Sequence, residues 1–304
     1  MPLKKIKIDR RKFIENTVRS AGAITLAGLS FPSVMAEKAV TKKSYTVQEV
    51  IDLVLKEGKL DILKETVDTI KAGNPDTVVT GIVTTMFPTI SVIKEAARLN
   101  ANFIIAHEPS FYNHNDSPDW VKNNAVLKEK RQLLEKHKIA VWRFHDYCHA
   151  LKPDAVNYGL AKKANWLPYF KTGEVMLTIP GTTLQELVAH LKTSLKISHV
   201  RIIGDPEQPC ERIALLPGAW GGQRQVSTAE SEEPDVLIVG ESPEWETVEY
   251  IRDAGLLGRK IALIVLGHAV SEEPGMEWFT EWFQPKIADV KITHIASKDP
   301  FTWL

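Results

Sequence analysis

The chain has 304 residues, 44% hydrophobic and 25% charged, enough for one large or two modest α/β domains and too short for a long multidomain array. Lys plus Arg and Asp plus Glu number 38 each, but the first 36 residues hold seven of the basic and two of the acidic ones, leaving 31 against 36 in residues 37–304. That acidic body lacks the basic face of a broad nucleic-acid binder, no apolar run is long enough to span a bilayer, and two cysteines make no disulfide framework.

Residues 1–36 read as an address. A basic stretch runs to Arg11, a mildly apolar one rich in Ala and Gly spans Ala21 to Val34, and the small-residue ending Val34, Met35, Ala36 precedes Glu37. Residues 9–14 (DRRKFI) resemble a bacterial twin-arginine export signal, with Asp9 where Ser or Thr is usual. The expectation is an exported, periplasmic protein cut after Ala36, with no membrane attachment after cleavage.

Beyond it, Thr46 caps a short helix from Tyr45 to about Lys56, and helical structure is expected again from Leu60 to Ile70, before the break at Gly73, Asn74 and Pro75. Strands are predicted at 77–83, 102–106 and 139–144, with helices at 88–99 and 124–137 between them, the alternation of a covered, mostly parallel sheet. Further strands are expected at 174–179, 200–203, 213–216, 235–239, 260–266 and 292–295. Helices are expected at 183–195, opened by Thr183 with Glu186 three residues on, at 245–254, and at 275–283, opened by Pro274. Residues 223–234 are polar and read as a surface passage. Trp245, Trp278, Trp282 and Trp303 gather late in the chain and read as a packed interface.

Four histidines follow predicted strands. His107 and Glu108 come after the strand ending at Ala106. His145, Asp146 and His149 come after Phe144, and His268 and Glu272 after Leu266. Carboxyl ends of strands are where α/β proteins build sites, because the loops there converge. His145 and His149, like His268 and Glu272, are four apart and can face one way on a helical turn. Imidazole with carboxylate suits Zn, Fe, Mn or Co, and so many ligands in one cluster imply two ions with a bridging hydroxide as nucleophile. His114, His137, His190, His199 and His294 have no such company and read as structural or exposed. Cys148 reads as a buried apolar residue or a soft ligand, and Gly218–Gly222 as an anion-binding turn or a surface loop. No dinucleotide, P-loop or G-x-S-x-G motif occurs.

Four segments carry a family resemblance. Residues 101–112 (ANFIIAHEPSFY), 144–149 (FHDYCH) followed by Gly159-Leu160-Ala161, 235–241 (DVLIVGE), and 267–275 (GHAVSEEPG) resemble, in order, segments of the type 2 GTP cyclohydrolase I, or Nif-three-like, family. The resemblance implies two similar, intertwined α/β domains with a metal site in the cleft between them. The first is read as 44–165, completed by 235–304, and the second, smaller one as 166–234. It implies metal ligands at His107, Glu108, His145, His149, His268 and Glu272, with Glu272 bridging two divalent transition metal ions. The family's second His falls on Glu108 and its Asp on His149, an exchange that keeps ligand charge constant. The family's His pair after Glu241 is replaced by Pro243, Glu244 and Trp245.

The function so implied is a metal-dependent hydrolase of a small phosphoester or nucleotide-like molecule, with Asp146 or Glu241 relaying a proton. GTP cyclohydrolase-type C–N hydrolysis and a non-catalytic metal-binding scaffold are the alternatives. The family resemblance also implies a homo-oligomer, commonly a hexamer.

Overall fold

A computed structural model describes residues 43–117 and 119–303. Residues 1–36, read above as an export signal with expected cleavage after Ala36, lie outside the described residues. Two five-stranded sheets form a mixed α/β architecture. In the first, β1 (Ile70–Ala72), β2 (Ile82–Thr85), β3 (Phe103–Ala106), β4 (Ala140–Arg143) and β10 (Ile292–His294) stand in the order β1-β4-β3-β2-β10. Only β1 runs antiparallel. In the second, β5 (Met176–Thr183), β6 (Arg201–Ile203), β7 (Pro209–Leu216), β8 (Val236–Val239) and β9 (Ala262–Val265) stand in the order β5-β7-β8-β9-β6, with antiparallel strands at both edges.

Strand side chains alternate between two apolar layers on each sheet, which is why the central strands read as unbroken apolar runs. Phe103, Ile105 and Trp142 face a layer with α1 (Val47–Gly58) and α9 (His268–Phe283), while Ile104 and Val141 face one with α2 (Ile90–Arg98) and α3 (Ala125–Lys136). In the second sheet, Ile213, Val236 and Ile264 pack with α5 (Ala155–Lys163) and α6 (Leu184–Leu195). Leu216, Leu237 and Leu263 pack with α7 (Gly222–Glu232) and α8 (Glu249–Leu256).

Local signals place most helix starts. Thr46 with Glu49, and Thr183 with Glu186, form complete capping boxes, and Thr89, Asn124 and Asp154 cap α2, α3 and α5. Three segments differ from expectation. Residues 60–69 are not helical: Lys59 ends α1 in the left-handed conformation, and the chain then anchors Leu63 on the Tyr147 hydroxyl and Thr66 and Val67 on Asp146. Residues 223–232 are not a surface passage but belong to α7, whose inward side chains Gln225 and Thr228 are polar and so hide its buried stripe. The last long helix begins at His268 and carries Pro274 inside it.

That helix ties the halves together. α9 follows β9 of the second sheet yet packs on the first core, and it meets α5 where a Cβ on Gly159 would lie 2.4 Å from the Pro274 carbonyl oxygen. β8 and β9 hydrogen-bond into the second sheet, not the first domain that residues 235–304 were expected to complete; α9 and β10 alone return. The four tryptophans do not gather. Trp278 and Trp282 pack on the core, Trp245 is 81% exposed, and Trp303 stacks on His199.

Candidate metal centre

The carboxyl ends of both sheets open on one cavity of about 1230 Å³. The first sheet contributes the turns after β2, β3 and β4, and the second those after β7, β8 and β9. Glu108, His145, His149, Asp154, Glu241, His268 and Glu272 line it.

Six side chains named from sequence come together here. The rings of His107, His145 and His149 form a triangle with centroids 4.8, 5.1 and 5.0 Å apart. His107 Nε2 lies 3.4 Å from Glu272 Oε2, and His268 Nε2 lies 3.1 Å from the same oxygen and 3.4 Å from Glu108 Oε1. One nitrogen from each of His107, His145 and His149, or one atom from each of His107, Glu108 and Glu272, can be enclosed within 4.8 Å.

Each of the four imidazoles is held by its Nδ1. His107 donates to the Phe144 carbonyl at 3.1 Å, a bond that fixes the tautomer, because a carbonyl only accepts. His145 donates to Asp146 at 2.9 Å, His149 to Asp154 at 3.0 Å, and His268 to Glu241 at 2.8 Å. Every Nε2 is thereby turned toward the cluster. Histidines that bind metals are oriented in this way. His107 Nε2 is fully buried and has no hydrogen-bond partner, a cost of about 1–3 kcal/mol that a bound cation would remove. The donors present therefore fit divalent transition metals.

Charge in the cluster follows from these contacts. Burial opposes a charge on His268, but hydrogen bonds to Glu108, Glu241 and Glu272 overwhelm it and push its pKa up to about 12. Burial likewise opposes ionisation of Glu272, and His107 and His268 outweigh it, holding the carboxyl well below its usual range. Burial, reinforced by His107, lowers His145 to about 4. His149 moves up, because Asp154 outweighs the burial that disfavours its cation. Without a cation at the centre, a proton on His268 compensates the surrounding carboxylates.

Sequence reasoning missed the supports. Asp68 accepts the backbone N–H groups of His145, Asp146 and Tyr147 at 2.8–3.1 Å and so holds the start of α4 (Asp146–Ala150). Arg143, fully buried at the end of β4, donates to the carbonyls of His107 and His114 and to Glu108 and Asp116. A lone charge in the otherwise apolar run 140–144 was the available signal. Asp154 both orients His149 and caps α5. Gly218 is not an anion-binding donor: its N–H is spent on Ser271 Oγ. Cys148 lies in the core, and His114, exposed, lines the cavity beside His145. Among the proton-relay candidates, Asp146 is taken up by His145, Thr66 and Val67, whereas Glu241 lines the cavity and is half-exposed. Of the residues after Glu241, Glu244 pairs with Arg201 at 3.0 Å.

Fold and site together define a two-sheet α/β protein with a His/Glu cluster at the shared carboxyl edge. The family model described as Duf34/NIF3 (NGG1p interacting factor 3) matches residues 62–300, and the chain belongs to this family. It is 27% identical over 228 residues to a GTP cyclohydrolase 1 type 2 homolog of Clostridium acetobutylicum, covering 70% of this chain and 81% of the relative. A homolog of the same name from Clostridium perfringens is 25% identical over 261 residues, covering 80% and 94%. Solved structures share the fold. The Staphylococcus aureus protein SA1388 superposes with a TM-score of 0.67 at 21% identity, over 86% of this chain and 99% of that one. A Bacillus cereus protein related to NIF3 gives 0.69 at 17%, over 86% and 100%.

Proposed function

We propose that this chain is a metal-dependent hydrolase of a small phosphoester or nucleotide-like molecule, with two divalent transition metal ions held by His107, Glu108, His145, His149, His268 and Glu272. The observation that carries this reading is the convergence of the His107, His145 and His268 Nε2 atoms on Glu108 and Glu272, with His149 grouped against His107 and His145 and each ring locked through Nδ1. Such ions supply a Lewis acid and water activated at neutral pH. The chain's own groups do the rest. Phe144 O, Asp146, Asp154 and Glu241 keep the rings in one tautomer, and Arg143 holds Glu108 in place while offsetting part of its charge. Glu241, bound to His268 and open to the cavity, accepts a proton and returns it to solvent. Phe87, Tyr112 and Trp220 in the wall favour a substrate with a planar or apolar portion.

The relatives' name, GTP cyclohydrolase 1 type 2 homolog, favours a second reading, C–N hydrolysis of GTP. Metal-loaded protein assayed against aryl and nucleotide phosphoesters should release phosphate, with the rate abolished in Glu272→Ala. Formate release from GTP in place of phosphate release would transfer the assignment to the cyclohydrolase reaction. Neither product, with metals bound, would leave the scaffold reading. The leader supports an exported setting, which cell fractionation of the full chain would test. The family resemblance supports a homo-oligomer, which mass measurement in solution would test.

A further inference from the structure

On α3, the buried stripe Leu127, Lys130, Leu134 places a lysine where the helix faces the interior. Lys130 is 4% exposed and lines the same cavity as the His/Glu cluster. Its hydrogen bond among the described residues is to the Ser110 carbonyl, at 2.6 Å. An ammonium has three donors, so two remain. It also lies over the Tyr112 ring, 5.2 Å from the centroid. Burial lowers its pKa to about 8, and the distant charge of Asp116 only partly offsets this.

The neighbouring charges do not satisfy it. Asp116 is shared by Lys71 at 3.6 Å and Arg143 at 3.4 Å and accepts the Phe111 N–H, while Glu108 accepts from Arg143 at 3.1 Å. Lys71 and Arg143 thus take up Asp116 and Glu108, with Asp68 also acting on Lys71. Lys130 is the neighbouring cation with no carboxylate at ion-pair distance among the described residues. A second atom is short of a partner nearby: Ser110 Oγ is buried and makes no hydrogen bond. A buried ammonium with spare donors and no carboxylate beside it is costly unless an anion completes it.

We infer that Lys130 is a substrate-positioning residue whose ammonium binds an oxyanion of the substrate, a phosphoryl or carboxylate group, in the cavity wall formed by α3 and the turn after β3. The inference rests on reading the cavity as a substrate site. It goes beyond the metal cluster, with which Lys130 makes no contact among the described residues, and it makes an anionic substrate a requirement of the pocket.

The test is calorimetric titration of the metal-loaded full chain with inorganic phosphate and, separately, acetate. Lys130→Met should weaken the bound anion about tenfold or more, the loss expected of one charge-assisted hydrogen bond. Metal content and Tm should hold, and Lys130→Arg should recover part of the affinity. Phosphate binding without acetate binding assigns a phosphoryl group, and the reverse a carboxylate. Should Lys130→Met not fold, peptide mapping of wild-type protein after reductive methylation decides, since phosphate or acetate should slow modification of Lys130. Unchanged affinity in Lys130→Met, equal methylation with and without anion, or no anion binding by the wild type overturns the inference. Anion binding through Lys130 without turnover of any phosphoester would keep this subsite and sink the hydrolase reading. Turnover with unchanged anion affinity would do the opposite.

Discussion

His107, at the end of β3 in the first sheet, and Glu272, on the helix that follows the second sheet, meet with Nε2 and Oε2 3.4 Å apart. This contact links the two halves of the fold at the candidate site. Glu272 is held from behind by the turn after β7. A Cβ on Gly218 would lie 1.9 Å from Glu272 Oε1, and the backbone there has φ +76°. Gly218→Ala should therefore displace the carboxylate and strain the turn, destabilising the protein by about 1 kcal/mol or more. Urea unfolding and metal content together check it. Unchanged metal uptake would show that Glu272 tolerates displacement.

Asp154 has two separable duties. Its Oδ1 accepts from Val156 and Asn157 at the start of α5, and its Oδ2 from His149. Asp154→Ala should cost about 0.5–2 kcal/mol through the lost cap. Asp154→Asn keeps the cap and should cost little stability. Both should weaken metal affinity roughly 10–100-fold, the usual penalty for losing a residue that orients a ligand. Equal affinity in wild type and Asp154→Asn would remove His149 from the ligand set.

Arg143 is fully buried between Glu108 and Asp116. Arg143→Ala leaves both carboxylates without their shared cation and should cost about 3–5 kcal/mol. Thermal unfolding should then fall by roughly 10 °C. A drop of only a degree or two would mean that water already solvates this network.

The metal-free protein should be most stable near pH 6.5. His268, with its pKa raised to about 12, contributes stability that is full below 6.5 and is lost as pH rises toward 12. His145, lowered to about 4, acts oppositely: the unfolded chain takes up its proton first, so stability falls as pH drops from 6.5 to about 4. The depressed carboxyls of Glu272 and Glu108 add to the acid-side loss. Melting of chelator-treated protein across this range would show the maximum. A monotonic rise into alkali would contradict the charge state assigned to His268.

Much of the candidate site was legible because its side chains directly follow apolar strands. His107, His145 and His268 each come one to three residues after β3, β4 and β9, and the i,i+4 spacing of His268 and Glu272 holds because α9 starts at His268. The start of that helix was obscured by Pro274, which looks like a first residue but sits inside. The supports were not legible for a different reason. Asp68 and Asp146 meet across 78 positions, and Lys130 reaches Ser110 across 20, so no local pattern joins them. The assignment of β8 and β9 to the second sheet was hidden likewise, since covered parallel strands look alike whichever sheet they join.

The measurement that tests the account most directly is metal content of the purified protein by plasma mass spectrometry, beside a Glu272→Ala control. A dinuclear centre should give about two transition metal ions per chain in the wild type, as expected of a two-metal site, and a sharp fall in the control. A wild-type protein that binds none after reconstitution with Zn, Mn, Fe and Co would contradict it, and the convergent histidines would then be a charge-compensated core.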